Sequence, residues 1–375
     1  MRTVIVGYPL LASRQWKLYG KFDGSHEVHI ITPNTWPTIP TADYPSGESS
    51  FKHHALRTLF KGQMNRYVIP ELLSKITRID PDVVLTHGEP WQLNTAIVTA
   101  ICEFTQTPHV IFSWENLNRM PRLRVLQGVE QMVLSRISGI VAGSDQAVDR
   151  LENKGYNGQI SVAPQTGVDI QAFSPQNDAG KLRERFDLPT DANIVLYTGR
   201  LVPEKGLRYL VDAVPGIYNM CPNVHLLLVG EGPMSNKIRQ NATNSEHITL
   251  VTDRLPYHLM PQLYSLASVF TYPSYTEETW AEQFGYAAAE AMSCGVPVVT
   301  TRCGSLPHVV DDGGIVCPER DSNSLAEAIG TLLQNPKRRA ELGERARQRV
   351  KTEFSLDRVA KRHERALMTA ADLNN

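Results

Sequence analysis

At 375 residues the chain is longer than one hydrophobic core usually serves, so two domains are expected. With 42% hydrophobic and 21% charged residues it has the composition of a soluble globular protein. A formal net charge of −1 argues against a nucleic-acid binder that works by counterion release.

The opening MRTVIVGYPL reads as a first strand rather than a signal peptide, because no long apolar stretch or small-residue cleavage site follows. Short β-branched runs recur at residues 3–7, 27–32, 82–86, 109–112, 139–142 and 160–163. Amphipathic segments of helical length, 67–79 and 123–135, lie between them. Residues 164–192 break the rhythm with Pro164, Gly167, Pro175, Gly180 and Pro189, as a linker with one short helix would. A second array follows at 194–199, 224–230, 248–251, 269–272, 296–301 and 314–318, and the tail 353–370 is helical and amphipathic. Strands alternating with helices imply parallel sheets wound on both faces. The expected fold is α/β, two Rossmann-like doubly wound domains facing across a cleft, divided as 1–168, 169–352 and a terminal helix 353–375.

No run of 18 apolar residues is present, so no membrane-spanning helix is expected. Cys102, Cys221, Cys294, Cys303 and Cys317 show no metal-ligand spacing and read as reduced thiols of a cytoplasmic protein.

Ligands of such sheets bind beyond the carboxyl ends of the strands, and the informative residues cluster there. In the run EQFGYAAAE, Glu282 and Glu290 flank a strand-to-helix junction. Each carboxylate can accept hydrogen bonds from two adjacent sugar hydroxyls. The amides of Phe284, Gly285 and Tyr286 form a helix N-terminus that attracts phosphate. A capping acid at an ordinary helix start is the plain alternative. Earlier, Gly199-Arg200-Leu201-Val202-Pro203-Glu204-Lys205-Gly206 places two cations on a loop that feeds a helix. Arg200 and Lys205 together can neutralise a diphosphate leaving group, although isolated cations are usually surface charge. Gly230 and Glu231 lie in a glycine turn that allows close backbone approach to a ligand, or simply a tight connection. Asp80-Pro81-Asp82 and Asp311-Asp312-Gly313-Gly314 read as a strand entry and a turn, so no catalytic metal is expected.

Taken whole, residues 272–300 resemble the donor-sugar site of retaining GT-B glycosyltransferases of the family-four group, glycosyl transferases group 1. Thr198-Gly199-Arg200 with Lys205-Gly206 matches that family's phosphate-binding loop. The resemblance implies a metal-independent transfer of sugar from a nucleoside-diphosphate donor to a hydroxyl of a glycan, lipid-linked or small-molecule acceptor, in cell-envelope or glycan biosynthesis. It gives catalytic roles to Arg200, Lys205 and Glu282, ribose contact to Glu290, nucleotide contact to Gly199, Gly230 and Glu231, and the base edge to Arg254. It also implies that the last helix returns to the first domain.

The first half departs from the family pattern. A lone Gly7 stands where many members carry two glycines, and Phe112-Ser113-Trp114-Glu115-Asn116 lacks their histidine. Glu89, Glu115 and Asn116 are the candidates to replace it, with Trp91 and Trp114 as an apolar platform for sugar or lipid. Core tryptophans and capping acids are the alternative. Residues 52–78 carry six cations against Glu71, and Arg119, Arg122 and Arg124 form a second cluster. Such stretches are solvated helix faces or a peripheral contact with the anionic inner face of a membrane. Two rival functions are a nucleotide-sugar epimerase and a non-catalytic nucleotide-sugar-binding subunit. A dehydrogenase is disfavoured because no GxGxxG follows a strand.

Overall fold

The computed structural model describes residues 1–37, 39, 50–117, 123–176, 180–243 and 245–372. Arg119 and Arg122 lie outside them. The chain divides into two compact units, one of Met1–Gly167 with Leu356–Asn375 and one of Val168–Ser355. Both are α/β with parallel sheets, as the alternation of strand and helix predicts.

The first unit holds seven parallel strands: β1 (Arg2–Val6), β2 (Glu27–Pro33), β3 (Phe51–Leu56), β4 (Val83–His87), β5 (His109–Ser113), β6 (Gly139–Ala142) and β7 (Ile160–Val162). Their order is β3-β2-β1-β4-β5-β6-β7. Successive side chains of a strand point to opposite faces, and here both faces are buried. Val4 and Val6 join the core under the helices Leu72–Ile79 and Leu93–Thr105. Ile5 joins the other core, which includes Leu356, Val359 and Leu367 of the last helix, Leu356–Asp372. The tail therefore returns to the first unit.

Two local readings need correction. Strand β3 was not foreseen, because Lys52, His53 and His54 interrupt its apolar residues. An edge strand needs only one hydrogen-bonded neighbour, and β3 pairs with β2 alone. The helix expected at 67–79 begins at Leu72, because Pro70 disfavours helical backbone at the residue before it. Tyr67 and Ile69 instead enter the core from an irregular segment.

The second unit holds β8 (Asn193–Thr198), β9 (Val224–Val229), β10 (Ile248–Val251), β11 (Val269–Tyr272), β12 (Val298–Thr301) and β13 (Gly314–Cys317), in the order β10-β9-β8-β11-β12-β13. The order reverses between β8 and β11, so a crevice opens beyond their carboxyl ends. In the first unit the reversal lies between β1 and β4.

Candidate functional site

The cations of the second unit follow β8. Gly199 and Gly230 end adjacent strands with φ of 150° and 154°, and a Cβ on Gly230 would lie 1.8 Å from the carbonyl oxygen of Gly199. The two turns thus lock backbone against backbone, which only glycine permits. Gly206 has φ of 70°, and a Cβ there would lie 1.8 Å from the carbonyl oxygen of Pro273. This contact holds the short turn Pro203–Lys205 against the end of β11.

Lys205 is thereby buried, at 5% exposure. Its ammonium donates to Tyr272 Oη at 2.9 Å and to Glu282 Oε1, and lies 4.7 Å and 4.6 Å from the ring centres of Tyr272 and Trp280. Ser274 Oγ donates to the same Glu282 oxygen at 2.9 Å, and the Glu282 carbonyl accepts from the Ser305 amide at 3.0 Å. The Lys205–Glu282 pair is therefore a desolvated ion pair with additional hydrogen bonds, the form in which buried charges are tolerated. Burial and the Glu282 charge push the Tyr272 phenol well up, and they do the same to Tyr197.

Arg200 behaves differently. Its side chain is 64% exposed and sits 3.7 Å from Glu204. Its charge still reaches Tyr197 and Tyr272, where it acts against the rise.

Glu290 lies on the helix Tyr286–Ser293, whose N-cap is Gly285. The amides of Ala288 and Ala289 donate back to the Gly285 carbonyl at 3.0 Å and 3.2 Å, which starts the helix at the junction. Phe284 is buried against Tyr286 and Phe354, so its side chain packs the junction. The Glu290 oxygens accept from Tyr257 Oη at 2.7 Å and Tyr264 Oη at 2.8 Å, and Tyr264 Oη also meets Thr198 Oγ1 at 3.2 Å. Neither tyrosine was among the candidates, since they stand 33 and 26 residues before Glu290 and no spacing links them to it. Glu231 and Arg254 are exposed on the loops after β9 and β10.

In the first unit, Gly7 ends β1 so close to β4 that a Cβ would lie 2.7 Å from His87 Cβ. Glu89 follows β4, with Oε2 accepting from Ser113 Oγ at 2.6 Å and Oε1 from the Trp114 amide at 2.8 Å. Burial raises the Glu89 carboxyl above its ordinary range, and the nearby Glu115 charge adds to the rise. Glu115 itself is buried against Lys154 at 2.5 Å, and Glu130 meets the same ammonium at 2.6 Å. Of the candidate acids, Glu115 is thus committed to a buried triad. Glu89 is the one whose carboxyl is raised above its ordinary range, by burial first and by the Glu115 charge second. Asn116 follows on the same loop, partly buried. Trp114 is pressed on Gly143, where a Cβ would lie 2.1 Å from the ring, and stands edge-on to Phe112. It forms a packed wall, and Trp91 is also partly buried. Tyr8 and Lys154 were not among the candidates. The phenol of Tyr8 is raised by burial first and by the charge of Glu89 second.

Asp80 and Asp82 sit at the opposite, amino end of β4, where the Asp82 carboxylate accepts from the Arg2 amide at 2.6 Å. Asp311–Gly313 is a short turn.

Comparison with known proteins gives the family. Residues 23–172 match the family model Glycosyltransferase Family 4, and residues 178–349 match Glycosyl transferases group 1. A GDP-mannose-dependent alpha-(1-6)-phosphatidylinositol monomannoside mannosyltransferase of Mycolicibacterium smegmatis is 36% identical over 47% of this chain and 48% of its own. A D-inositol 3-phosphate glycosyltransferase of Saccharomonospora viridis is 30% identical over 61% of this chain and 54% of its own. The chain thus spans about half the length of these curated relatives. Among solved structures, HepE of Anabaena in complex with UDP has a TM-score of 0.75 at 18% identity, covering 98% of this chain and all of that one. Sucrose-phosphate synthase of Thermosynechococcus elongatus has a TM-score of 0.76 at 22% identity, covering 97% and 98%. At these identities the solved structures show the fold alone, which is GT-B.

Proposed function

Because this chain belongs to the family-four, group 1 glycosyltransferases, we propose that it moves a sugar from a nucleoside-diphosphate donor to an acceptor hydroxyl, with retention and without a metal. The observation that carries this reading is the buried Lys205–Glu282 pair beyond the ends of β8 and β11, where an open α/β sheet binds its ligand.

Donor binding divides the pair between two parts of one ligand. The diphosphate takes Lys205, the exposed Arg200 and the amides that begin the helix at Tyr286. The sugar hydroxyls take Glu282. The ribose hydroxyls take Glu290 in exchange for the half-exposed Tyr257 hydroxyl. In the reaction the bond from the anomeric carbon to the phosphate oxygen breaks, and negative charge gathers on that oxygen. Preorganised cations and amides there lower the barrier directly. The acceptor oxygen then bonds to the anomeric carbon on the same face, and its proton passes to the departing phosphate. No enzymic nucleophile takes part. On the acceptor side Glu89, with its raised carboxyl, is the group that exchanges a hydrogen bond with the incoming hydroxyl.

The relatives' names make GDP-mannose the first donor to assay and inositol phosphates or phosphatidylinositol mannosides the first acceptors. A panel of nucleotide sugars is incubated with and without these acceptors, and the product anomer is read by NMR. Acceptor-dependent release of the nucleoside diphosphate, with the donor's anomeric configuration kept, is expected. Sugar isomerisation without acceptor would replace the reading with an epimerase, and binding without turnover would replace it with a non-catalytic subunit.

A further inference from the structure

Residues 57–68 form an exposed loop of the first unit in which apolar and basic side chains alternate without an acid. Phe60 is 58% exposed and Met64 50%, beside the half-exposed Leu59; Lys61 stands between Phe60 and Met64 in sequence and Arg57 and Arg66 flank them, all exposed. The loop is a built structure. Leu59 and Val68 pair at its base through hydrogen bonds of 2.8 Å and 3.2 Å, and Gln63 accepts from the amides of Arg66 and Tyr67. Tyr67 anchors it in the core, with Asn94 donating to its hydroxyl at 3.0 Å. The carbonyl of Asn65 accepts from the amide of Leu93 at 3.2 Å.

Val68 continues the apolar surface into a groove of about 400 Å³ between the helices Leu72–Ile79 and Leu93–Thr105, where Leu73 and Phe104 stay exposed. A water-soluble surface rarely holds large apolar side chains so close together without a partner. The cations among them select the partner. Apolar tips flanked by lysine and arginine suit the interface of a bilayer carrying anionic lipids. The loop also lies next to a candidate acceptor residue, since Met64 Sδ accepts from Tyr8 Oη at 2.9 Å and Tyr8 follows Gly7 in the chain.

We propose that the loop 57–68 is a membrane-docking element. Phe60 and Met64 enter the headgroup region, Arg57, Lys61 and Arg66 meet lipid phosphates, and the apolar groove lies along the bilayer surface. The proposal stands apart from the donor chemistry of the second unit and needs none of it.

The test is sedimentation of the full chain with phosphatidylcholine vesicles, with and without phosphatidylglycerol, at low and raised salt. Binding to the anionic vesicles that weakens with salt is expected. Phe60→Ser with Met64→Ser should lower the partition constant at least about tenfold. Arg57→Gln, Lys61→Gln and Arg66→Gln together should lower it by on the order of a hundredfold, at about one phosphate contact per cation. The urea unfolding midpoint read by tryptophan fluorescence, with four of the five tryptophans in the first unit, should be unchanged in both variants, which separates lost docking from lost folding. A chain that stays in solution with anionic vesicles would overturn the proposal, as would partition unchanged in both variants. A native dimer that the apolar variant splits would also overturn it, by making the patch a protein interface.

Discussion

Lys205 and Glu282 hold each other as a buried ion pair. Removing one partner of such a pair costs about 3–5 kcal/mol, while replacing both with apolar residues costs far less. Lys205→Met and Glu282→Leu are each expected to destabilise the second unit within that range in urea, and the double variant by less than their sum. Additive losses would mean that the pair is not coupled. Arg200→Ala is expected to leave stability within about 0.5 kcal/mol, since its side chain is mostly exposed. Its turnover should fall roughly 10- to 150-fold, the kinetic equivalent of one charge-assisted hydrogen bond to the leaving group. Turnover within twofold of the parent would remove Arg200 from the reaction. Lys205 and Glu282 were legible because they lie in motifs that the chain shares with a family. Tyr257, Tyr264 and Lys154 were not, because a residue that reaches a site from a distant stretch of chain leaves no local pattern. Glu89 and Glu115 were equivalent in sequence and became distinct only once Lys154 was seen to claim Glu115.

At the scale of elements, the first unit is built around imidazoles kept neutral. Burial holds His87 at the end of β4 and His109 at the start of β5 down to about 3, and His363 of the last helix down to about 4. His87 is bonded to Tyr19 and to Gln165, while His363 Nε2 meets the Pro164 carbonyl at 2.9 Å. Below about pH 6.5 an unfolded imidazole takes up a proton that the folded one refuses, so unfolding becomes progressively easier as pH falls. Each such histidine costs up to about 1.4 kcal/mol per pH unit between about 6.5 and its folded value, with no such loss above neutrality. Four of the five tryptophans, Trp16, Trp36, Trp91 and Trp114, belong to the first unit, so fluorescence-detected urea unfolding reports mainly on it. Its midpoint should fall steeply from pH 7 to pH 5. A midpoint constant over that range would show that these histidines titrate normally. Strands made of β-branched residues, such as Thr3-Val4-Ile5-Val6, were legible because burial on both faces demands a continuous apolar run. Strand β3 was hidden because an edge strand tolerates Lys52 and two histidines, and the helix start at Leu72 was displaced by Pro70.

At the scale of the molecule, two parallel sheets each reverse strand order once. The donor-side and acceptor-side candidates lie on the segments that follow the carboxyl ends of strands in both units, as alternation of strand and helix implies, whereas Asp80 and Asp82 precede β4. What each unit binds is less accessible to pattern, because base, sugar and acceptor are chosen by a few side chains on loops that alternation does not specify. On the reading proposed above, the second unit holds a nucleoside diphosphate through Lys205, Arg200 and helix amides, with no metal. Calorimetric titration of GDP, UDP and ADP into the chain, with and without a chelator, tests it most directly. One of these nucleotides should bind at micromolar strength, equally well in chelator, and Lys205→Met should abolish the binding. No binding by any of the three, or binding that chelator removes, would contradict the account.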